Sequence, residues 1–469
     1  MVAMEKKIHT DVLVVGGGIA GIQSALDMAD QGFKVIIVER QSSIGGQMIA
    51  LSKVFPTLDC ASCITTPKMS AAAHHPNIQL MVNTEVNQIE TVGAGQQVTV
   101  TRKATYVDPE KCIGCRLCEY ACEIEYPDPF ELGLGAIRAI AIPFTNAIPQ
   151  KAVLNPDYCT TCGLCARACP TDAIDYAQEP QTFTIHADTV IVASGFALNS
   201  LNVKPQYNAA QSKNVISPLT MERLLAPHAP YGRVLRPSDG KIPTSIAFVQ
   251  CAGSRDETIG VPYCSRVCCM YAIKQAMLLS GALPMADITI YYMDIRAFGK
   301  GYEQFYQNAK AMGINFVRGK VARIESAPND DMLLHVELTE EAVDPCRQQR
   351  HDLVVLAQGM LPQWNVSEHS SLQCGSDGFV ASPDVINPSA TNLPGIFSAG
   401  TASGPKDIVD TITESGAAAM AARRYLHQQK GDKNPDIPTD TAAVHLVQRG
   451  AGEIRDGQTV QAGLGKEIR

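Results

Sequence analysis

This sequence has little tryptophan, no long apolar run and no excess of positive charge. The chain has 469 residues, a single tryptophan and a formal net charge of -8. The negative charge argues against a generally basic surface that would bind nucleic acid. No apolar run approaches the roughly 18 residues that a membrane-spanning helix needs, and the polar start MVAMEKKIHT is unlike a signal peptide. We therefore expect a cytoplasmic chain with no membrane span and no nucleic-acid partner.

Cysteine, by contrast, is unusually frequent. The sequence has 16 cysteines, several of them in tight C-x2-C groups. Without a secretion signal, such groups bind metal or carry out redox chemistry more often than they form disulfides. The length and the apolar content of 45% are enough for two or three packed domains.

A glycine motif lies between a predicted strand and helix near the start. The segment DVLVVGGGIAGIQSALDMADQGFKVIIVER predicts a strand, a glycine turn, a helix and a second strand. Gly16, Gly18 and Gly21 form G-x-G-x-x-G, whose glycines let the backbone approach a pyrophosphate at the helix N-terminus. Glu39 ends the second strand, where a ribose-hydroxyl acceptor is expected. A glycine turn that binds no nucleotide is the alternative, but strand, helix and acid all have the expected spacing.

Three further strand-and-glycine segments favour FAD over NAD. TVIVASG, DLVVLAQG and GIFSAGT resemble segments of the flavoproteins with two dinucleotide-binding domains, the thioredoxin and glutathione reductase group. That resemblance implies that the first domain holds FAD and that the last strand brings a loop to the flavin. Gly46, Gly195, Gly400 and Thr401 are therefore further candidate FAD contacts, although the group usually has aspartate where Thr401 stands.

Eight cysteines form two copies of C-x2-C-x2-C-x3-C between residues 106 and 177. This spacing wraps a [4Fe–4S] cluster, and the fourth cysteine of each copy, on the following helix, reaches the other cluster. Zinc is the less favoured alternative, because it normally uses cysteine pairs with a longer spacer. The long stretch between the copies is a candidate docking hairpin. The predicted ligands are Cys112, Cys115, Cys118 and Cys169 for one cluster, and Cys159, Cys162, Cys165 and Cys122 for the other.

A second glycine motif, which would bind NAD(P)H, is missing where it is expected. The strand SIAFVQ is followed by CAGSRD and then by a helix predicted from about Ser265 to Ser280. Buried free thiols and a disulfide are alternatives to a cluster here, although adjacent cysteines rarely pair with each other. The candidate ligands at this loop and helix start are Cys251, Cys264, Cys268 and Cys269.

Four segments together resemble the A subunit of heterodisulfide reductase and its relatives: PTLDCASCITTPKM, CAGSRD…YCSRVCCMYAIKQA, FGKGYEQFY and SGPKDIVDT. The resemblance extends from about residue 8 to residue 428. It implies FAD, two ferredoxin-type clusters, one atypical cluster held by the four cysteines above, and a place in an electron-bifurcating or confurcating complex. Long members have an additional N-terminal domain and a C-terminal ferredoxin, which are not expected here.

The predicted fold class is α/β, with two dinucleotide-binding-like (thioredoxin-reductase-like) domains and an inserted two-cluster ferredoxin domain. The FAD-binding domain is expected at residues 1–105, 178–240 and 362–428, and the ferredoxin domain at 106–177. A degenerate nucleotide-binding-like domain carrying the atypical cluster is expected at 241–361, and a polar tail at 429–469.

Three candidate catalytic residues have open roles. Cys60 and Cys63 lie where glutathione-reductase-like enzymes carry a redox disulfide, but with C-x2-C spacing instead of four intervening residues. A flavin-adjacent dithiol, a partial cluster site completed by a partner, and structural thiols all stay open. Lys406 is a candidate charge beside the flavin, with a capping or surface lysine as the alternative. Cys346 and Cys374 are isolated in sequence and are expected to be structural.

The expected function is electron transfer through FAD and clusters within a multi-subunit oxidoreductase. Expected partners are other heterodisulfide-reductase-like subunits, ferredoxin, and a donor module such as a hydrogenase or formate dehydrogenase. The core is also a candidate homodimer. The alternatives are a non-bifurcating relay of a quinone-linked complex, a disulfide or NAD(P)H oxidoreductase using Cys60 and Cys63, and a scaffold whose clusters only stabilise the fold.

Overall fold

The computed structural model describes residues 7–339, 346–429 and 431, and the described residues up to Leu426 form one compact unit. Nearly all of the predicted polar tail lies outside the described residues. The helices are α1 (Ile19–Ala29), α2 (Ala61–His74), α3 (Leu117–Ala121), α4 (Leu164–Ala168), α5 (Pro218–Leu225), α6 (Cys268–Ala282), α7 (Tyr302–Ala311) and α8 (Ile408–Gln429). In this described part of the chain, no helix combines the length and the apolar composition of a membrane span.

Most strands belong to two large sheets. In chain order they are β1 (Lys7–Val15), β2 (Val35–Val38), β3 (Ile78–Met81), β4 (Thr84–Val92), β5 (Gly95–Arg102), β6 (Glu125–Pro127), β7 (Ala136–Arg138), β8 (Ile140–Ala141), β9 (Val153–Leu154), β10 (Gln181–Val192), β11 (Phe196–Leu198), β12 (Val215–Ile216), β13 (Ser245–Val249), β14 (Asp287–Tyr292), β15 (Asn315–Ala327), β16 (Asp331–Leu338), β17 (Cys346–His351), β18 (Leu353–Leu356), β19 (Met360–Pro362) and β20 (Ile396–Ser398).

The first sheet has the order β3-β2-β1-β10-β5-β4, with β20 also paired to β10. At its centre β1 pairs in parallel with β2 and β10, and its residues Val12, Leu13 and Val14 have no exposed surface. The long strand β10 pairs antiparallel with β5 along its first half and parallel with β20 along its second. The cysteine-rich insertion therefore leaves this sheet after β5 and returns to it through β10.

The second sheet has the order β12-β18-β13-β14-β15-β16-β17. Its first five strands are parallel, and α6 and α7 pack on it through a core that includes Phe248, Met270 and Phe305. Because β12 pairs with β18, this domain begins before residue 241, where its start was predicted. A strand of two residues has no periodicity that could identify it in the sequence.

The insertion contains α3, α4 and two short hairpins, β6–β7 and β8–β9. The loop between β6 and β7 contacts this chain's own core, because Glu131 binds Arg223 of α5 at 2.7 Å. A later loop contacts the first domain, where the Ile44 N–H donates to the Ile148 carbonyl at 3.0 Å. The stretch predicted as a docking hairpin thus connects the insertion with the core of its own chain.

Candidate flavin and iron–sulfur sites

At the loop between β1 and α1, glycines allow backbone segments to cross at close distance. Gly16 has φ +107°, and a Cβ there would lie 2.3 Å from the carbonyl oxygen of Ala193. A Cβ on Gly21 would lie 1.9 Å from the Gly16 carbonyl, and one on Gly46 would lie 2.8 Å from the Gly18 Cα. The first turn of α1 carries no acidic residue. This crossing beside a helix N-terminus fits the pyrophosphate of FAD.

Glu39 lies just after β2, next to this crossing. Its carboxylate accepts the Gly17 N–H at 2.7 Å and the Gln41 N–H at 2.8 Å. Burial raises the pKa of Glu39, while these hydrogen bonds act in the opposite direction. Each carboxylate oxygen keeps a lone pair, so Glu39 can still accept a hydrogen bond from a ribose hydroxyl.

Two further loops reach the same edge of the first sheet. Gly400 follows β20 with φ +62°, and a Cβ there would lie 2.7 Å from the Cβ of Ala20 in α1. Thr401 follows it in a short 3-10 turn. Gly195 follows β10 with φ +79° and has open space where a Cβ would be. The predicted FAD contacts from three separate parts of the chain therefore lie around the start of α1.

Lys406 lies in the loop before α8 and is not a surface lysine, because only 6% of it is exposed. Its ammonium donates to the Ser403 hydroxyl at 2.7 Å and pairs with the Glu414 carboxylate. Burial lowers the pKa of Lys406, and Glu414 opposes that shift. The positive charge thus already has a partner within the chain, and the predicted role beside the flavin stays a prediction.

Cys60 and Cys63 lie at the start of α2. Cys60 precedes the helix, and its sulfur accepts the Cys63 N–H at 3.4 Å. A hydrogen bond between the two thiols lowers the pKa of Cys60 and raises that of Cys63. Ala61 packs in a small core with Ile19 and Ile408, at the starts of α1 and α8. The pair therefore lies beside the predicted flavin crevice, with Cys63 exposed and Cys60 half-buried.

Four cysteines of the insertion line one open cavity: Cys112, Cys115, Cys118 and Cys169. They are the four that were predicted to share a cluster. Burial raises the pKa of Cys118 to about 12, and Cys112 and Cys115 add to that shift. In the described residues, no three side chains of the metal-binding types converge closely enough to hold one metal ion. The thiolates that hold a [4Fe–4S] cluster lie farther apart than the ligands of a single metal ion. The four cysteines that line this cavity therefore fit a cluster.

The second set in the insertion is Cys159, Cys162, Cys165 and Cys122. Three of these residues pack in the same core as the first set, and Cys162 is exposed. α3 and α4 each end one residue before the fourth cysteine of the motif, and both Cys122 and Cys169 have extended backbone. The prediction that the fourth cysteine lies on the helix was therefore wrong, because this cysteine follows the last helical residue.

A third group of cysteines lies at the carboxyl end of the second sheet. Cys251 follows β13 with φ +57°, and Cys268 and Cys269 begin α6. Burial first, and then the neighbouring Cys269, Cys251 and Cys264, raise the pKa of Cys268. Burial also raises the pKa of Cys269 to about 11, with Cys251 and Cys264 contributing. Burial disfavours the negative charge of Cys251, Cys268 and Cys269, and such thiols are suited to binding cations that compensate this charge.

Cys264 lies in the loop before α6, because the helix begins three residues later than predicted. Arg266 has φ +61°, which a helix cannot contain. The buried Ser265 hydroxyl accepts the Met360 N–H at 2.8 Å, which fixes the loop against β19, a strand paired with β11. Cys264 therefore approaches the other three cysteines from a turn, in which its sulfur accepts the Arg266 N–H at 3.3 Å.

Two buried amide side chains beside this third group have polar atoms without partners among the described residues. Both side-chain polar atoms of Gln250 and the Oε1 atom of Gln358 are unpaired. Gln250 precedes Cys251 in the chain, and the backbone carbonyl oxygen of Gln358 lies 3.5 Å from the Cys268 sulfur. An unpaired buried donor costs free energy, and cluster sulfurs accept hydrogen bonds, so a cluster would satisfy the Gln250 Nε2 atom, whereas the two amide oxygens are acceptors and would need a donor. The site therefore fits a group larger than its own thiols, as an iron–sulfur cluster is.

Sequence reasoning missed Arg266, which connects this loop with the loop before α8. Its guanidinium pairs with Asp410 at 3.0 Å, donates to the Pro405 carbonyl at 3.3 Å and lies over the Phe298 ring at 5.0 Å. It also missed Tyr176, whose hydroxyl lies 3.0 Å from the Cys165 sulfur. Arg266 belongs to the segment YCSRVCC but its sequence context gave it no role, and Tyr176 belongs to no recognisable motif, so only the folded chain identifies their contacts.

Two family models match parts of this chain. Residues 11–59 match the model described as FAD dependent oxidoreductase. Residues 105–125 and 152–175 match the model of a 4Fe-4S binding domain. The predicted cofactors, FAD and [4Fe–4S] clusters, are confirmed at this level. Fold and sites together define a flavin- and iron–sulfur-containing oxidoreductase.

Similar curated proteins identify the family. The chain is 42% identical over 428 residues to the A subunit of the H(2):CoB-CoM heterodisulfide,ferredoxin reductase of Methanothermobacter marburgensis, covering 90% of this chain and 64% of that protein. It is 40% identical over 439 residues to the A subunit of the ferredoxin:CoB-CoM heterodisulfide reductase of Methanosarcina mazei, covering 92% and 55%. The predicted resemblance to the heterodisulfide reductase A subunits is therefore confirmed, and the chain spans less than two thirds of the length of these relatives.

Among solved structures, the fold is similar to that of thioredoxin reductase from T. acidophilum. The TM-score is 0.50 at 16% identity, covering 90% of this chain and 99% of the reductase. An identity this low shows the fold alone. The predicted fold class, two thioredoxin-reductase-like domains with a ferredoxin insertion, is confirmed.

Proposed function

We propose that the chain is the FAD and iron–sulfur electron-transfer subunit of a heterodisulfide-reductase-like complex. The observation that carries this proposal is the third group of cysteines. Thioredoxin-reductase-like folds bind dinucleotides in the crevice at the carboxyl ends of parallel strands. In the second sheet, this position holds Cys251, Cys264, Cys268 and Cys269 on the loop and helix start after β13.

We assign a set of residues to each cofactor. FAD would lie at the start of α1, against Gly16, Gly18 and Gly46, with its ribose at Glu39. The first ferredoxin-type cluster, cluster I, would be bound by Cys112, Cys115, Cys118 and Cys169. Cluster II would be bound by Cys159, Cys162, Cys165 and Cys122, and the atypical cluster by the third group. When bound, FAD would exchange electrons in pairs or singly, and the clusters one at a time.

The chain's own residues connect the flavin crevice with the atypical site. Arg266, in the atypical-cluster loop, pairs with Asp410 at 3.0 Å in the first turn of α8. α8 begins two residues after Lys406, and its Thr411 is in the surroundings of Gly400. The pairing of Arg266 with Asp410 fixes the atypical-cluster loop to the start of α8. The two cofactor sites are therefore kept at a constant separation, which electron exchange between them needs.

The electron donor would be a protein and not a nicotinamide, because the second glycine motif is absent from the sequence. The names of the relatives mention ferredoxin and the CoB-CoM heterodisulfide. We infer that this chain works with ferredoxin and with further heterodisulfide-reductase-like subunits, to which a hydrogenase or formate dehydrogenase module would supply electrons. Electron pairs would be split between ferredoxin and an acceptor of higher potential, or merged in the reverse direction.

The test is anoxic purification of the chain with its associated subunits, followed by two assays. NAD(P)H added to the isolated chain should leave the flavin absorbance unchanged. The complete complex should reduce ferredoxin only when the acceptor of higher potential is also being reduced. Prompt bleaching of the flavin by NAD(P)H would contradict the proposal. Ferredoxin-independent electron flow would favour a simple relay, and clusters that no partner reduces would favour a scaffold.

A disulfide-reducing role for Cys60 and Cys63 is a second candidate, because the Cys60 sulfur accepts the Cys63 N–H at 3.4 Å and the pair lies beside the crevice. In that role the Cys60 thiolate would attack a substrate disulfide and release one thiol. Cys63 would then displace the second thiol and leave a Cys60–Cys63 disulfide, oxidised by two electrons. A chain carrying both Cys60→Ser and Cys63→Ser should retain electron transfer between partners if this role is absent.

A further inference from the structure

The hydroxyl of Tyr176 lies 3.0 Å from the sulfur of Cys165. Cys165 is a proposed ligand of cluster II. A cysteine that binds iron does so as the thiolate, which has no proton to donate. The phenol is therefore the donor in this contact, and its hydrogen bond ends on a charged sulfur.

The two halves of the insertion are related by an internal repeat, which identifies the position equivalent to Tyr176. Asp108 and Asn155 each precede the first cysteine of their motif by four residues. The Asp108 N–H donates to the Ala173 carbonyl at 2.7 Å, and the Asn155 N–H donates to the Ala139 carbonyl at 2.7 Å. Ala173 in one half therefore corresponds to Ala139 in the other.

Three residues after each of these alanines, the halves differ. The chain has Tyr176 after Ala173 and Ile142 after Ala139. Ile142 is buried in the same core as Cys118, the third cysteine of the first motif and the counterpart of Cys165. An isoleucine side chain has no hydrogen-bond donor. The repeat thus provides an internal comparison between one cluster site with a phenol donor and one without.

We propose that Tyr176 is a positioning residue that raises the reduction potential of cluster II by donating a hydrogen bond to the Cys165 thiolate. The inference rests on the proposed ligand set of cluster II. A reduced cluster carries one more negative charge than the oxidised cluster, and part of that charge lies on its thiolates. A donor to the thiolate stabilises the reduced form more and makes the cluster easier to reduce. Hydrogen bonds to charged groups are also stronger than neutral ones.

The consequence is a difference between two clusters whose cysteine motifs are identical in spacing. Cluster II gains a donor that the isoleucine of the first half cannot supply to cluster I. An electron added to the insertion would therefore reside on cluster II more often than the two identical cysteine motifs alone would predict. Such a bias would help to set the direction of electron flow through the insertion.

The experiment is a redox titration, followed by electron paramagnetic resonance, of the full chain loaded with FAD and iron. In Tyr176→Phe we expect one ferredoxin-type cluster to become about tenfold harder to reduce, equivalent to about 59 mV for a one-electron couple. The iron content and the potentials of the other clusters should not change. Tyr158→Phe is the matched control, since it removes a hydroxyl from a half-exposed tyrosine of the same insertion that stacks on Tyr126.

A second substitution covers the case in which Tyr176→Phe fails to assemble cluster II. Incorporation of 3-fluorotyrosine at position 176 preserves the shape and makes the hydroxyl a stronger donor. The potential of the same cluster should then rise. Unchanged potentials in the loaded chain would overturn the inference about Tyr176. If Cys165→Ser and Cys159→Ser left all ferredoxin-type clusters intact, the proposed ligand set would fail, and the inference with it.

Discussion

The guanidinium of Arg223 is held by both carboxylate oxygens of Glu131, at 2.8 Å from Nε and 2.7 Å from Nη2. Arg223 has no exposed surface, and its guanidinium also lies over the Phe130 ring at 4.7 Å. Arg223 belongs to α5, whereas Glu131 and Phe130 lie in the loop between β6 and β7. This contact connects the cluster-bearing insertion with the second sheet domain, so it fixes the position of the clusters relative to the core.

Replacement of Glu131 by glutamine should destabilise the chain. It leaves a buried guanidinium without its counter-charge, which costs about 3 kcal/mol of unfolding free energy. The midpoint denaturant concentration, followed by loss of the iron–sulfur absorbance, measures the effect. The control is Glu125→Gln, because Glu125 pairs with Arg138 at 3.1 Å in the same hairpin with both side chains over a third exposed. It should cost less than about 1 kcal/mol, and equal losses in the two variants would contradict the role assigned to the buried pair.

A Gly46→Ala substitution should weaken FAD binding. Its methyl group would lie 2.8 Å from the Gly18 Cα and close the crossing at the start of α1. We expect affinity to fall on the order of tenfold, which corresponds to about 1.4 kcal/mol. The flavin released per chain on denaturation measures the occupancy. Gly93→Ala is the control, since Gly93 has a similar φ of +63° against +56° but nothing within 4 Å of a new Cβ. Equal flavin loss in both variants would indicate that backbone strain, and not closure of the crossing by the methyl group, weakens FAD binding.

The cysteine spacing predicts cluster ligands because local geometry brings cysteines of one motif together. Cys112, Cys115 and Cys118 are close in the chain and are therefore close in space, whatever the rest of the fold does. The assignment of Cys169 to the same cavity needed the crossed pattern of two-cluster ferredoxins, and the cavity is lined by that cysteine as predicted. The parallel strands β1, β2, β10, β13 and β18 were likewise predicted as apolar runs, since parallel strands are buried on both faces, whereas β12 and the antiparallel strands were not predicted.

The features that were missed depend on contacts between distant parts of the chain. Glu131 and Arg223 are 92 residues apart, and nothing in either segment identifies the other as its partner. The start of α6 was placed too early because Ser265 and Arg266 have no intrinsic property that stops a helix. The Ser265 hydroxyl stops it by binding the Met360 N–H of β19, which only the folded chain brings to this loop.

Loss of one atypical ligand should remove one cluster and leave the flavin. Cys268→Ser replaces a buried thiol in the third group, and we expect iron to fall from about twelve to about eight atoms per chain. FAD content should be unchanged, because Cys268 lies at the second sheet and not at the start of α1. Cys374→Ser is the control, as this cysteine is half-buried and forms a backbone bridge with Val380. A wild-type chain with only about eight iron atoms would contradict the atypical cluster.

Cys60 should form a thiolate at lower pH than Cys63. The hydrogen bond from the Cys63 thiol lowers the pKa of Cys60, and Cys63 has its own pKa raised by the same contact. As pH rises, the alkylation rate of Cys60 should therefore reach its half-maximum first, although Cys63 is the more exposed residue. Trypsin cuts after Lys53 and Lys68 and releases both cysteines in one peptide that contains no other, so fragment masses separate the two rates.

Removal of the donor tests the cause of this difference. Cys63→Ala should move the Cys60 half-maximum to higher pH, because the thiol that stabilises the thiolate is gone. Cys63→Ser keeps a hydroxyl donor at the same position and should retain much of the shift. If both variants leave the Cys60 profile where it is in the wild type, another group sets its pKa. A dithiol role for the pair would then lose its physical basis, because the attacking thiolate of Cys60 would no longer depend on its neighbour.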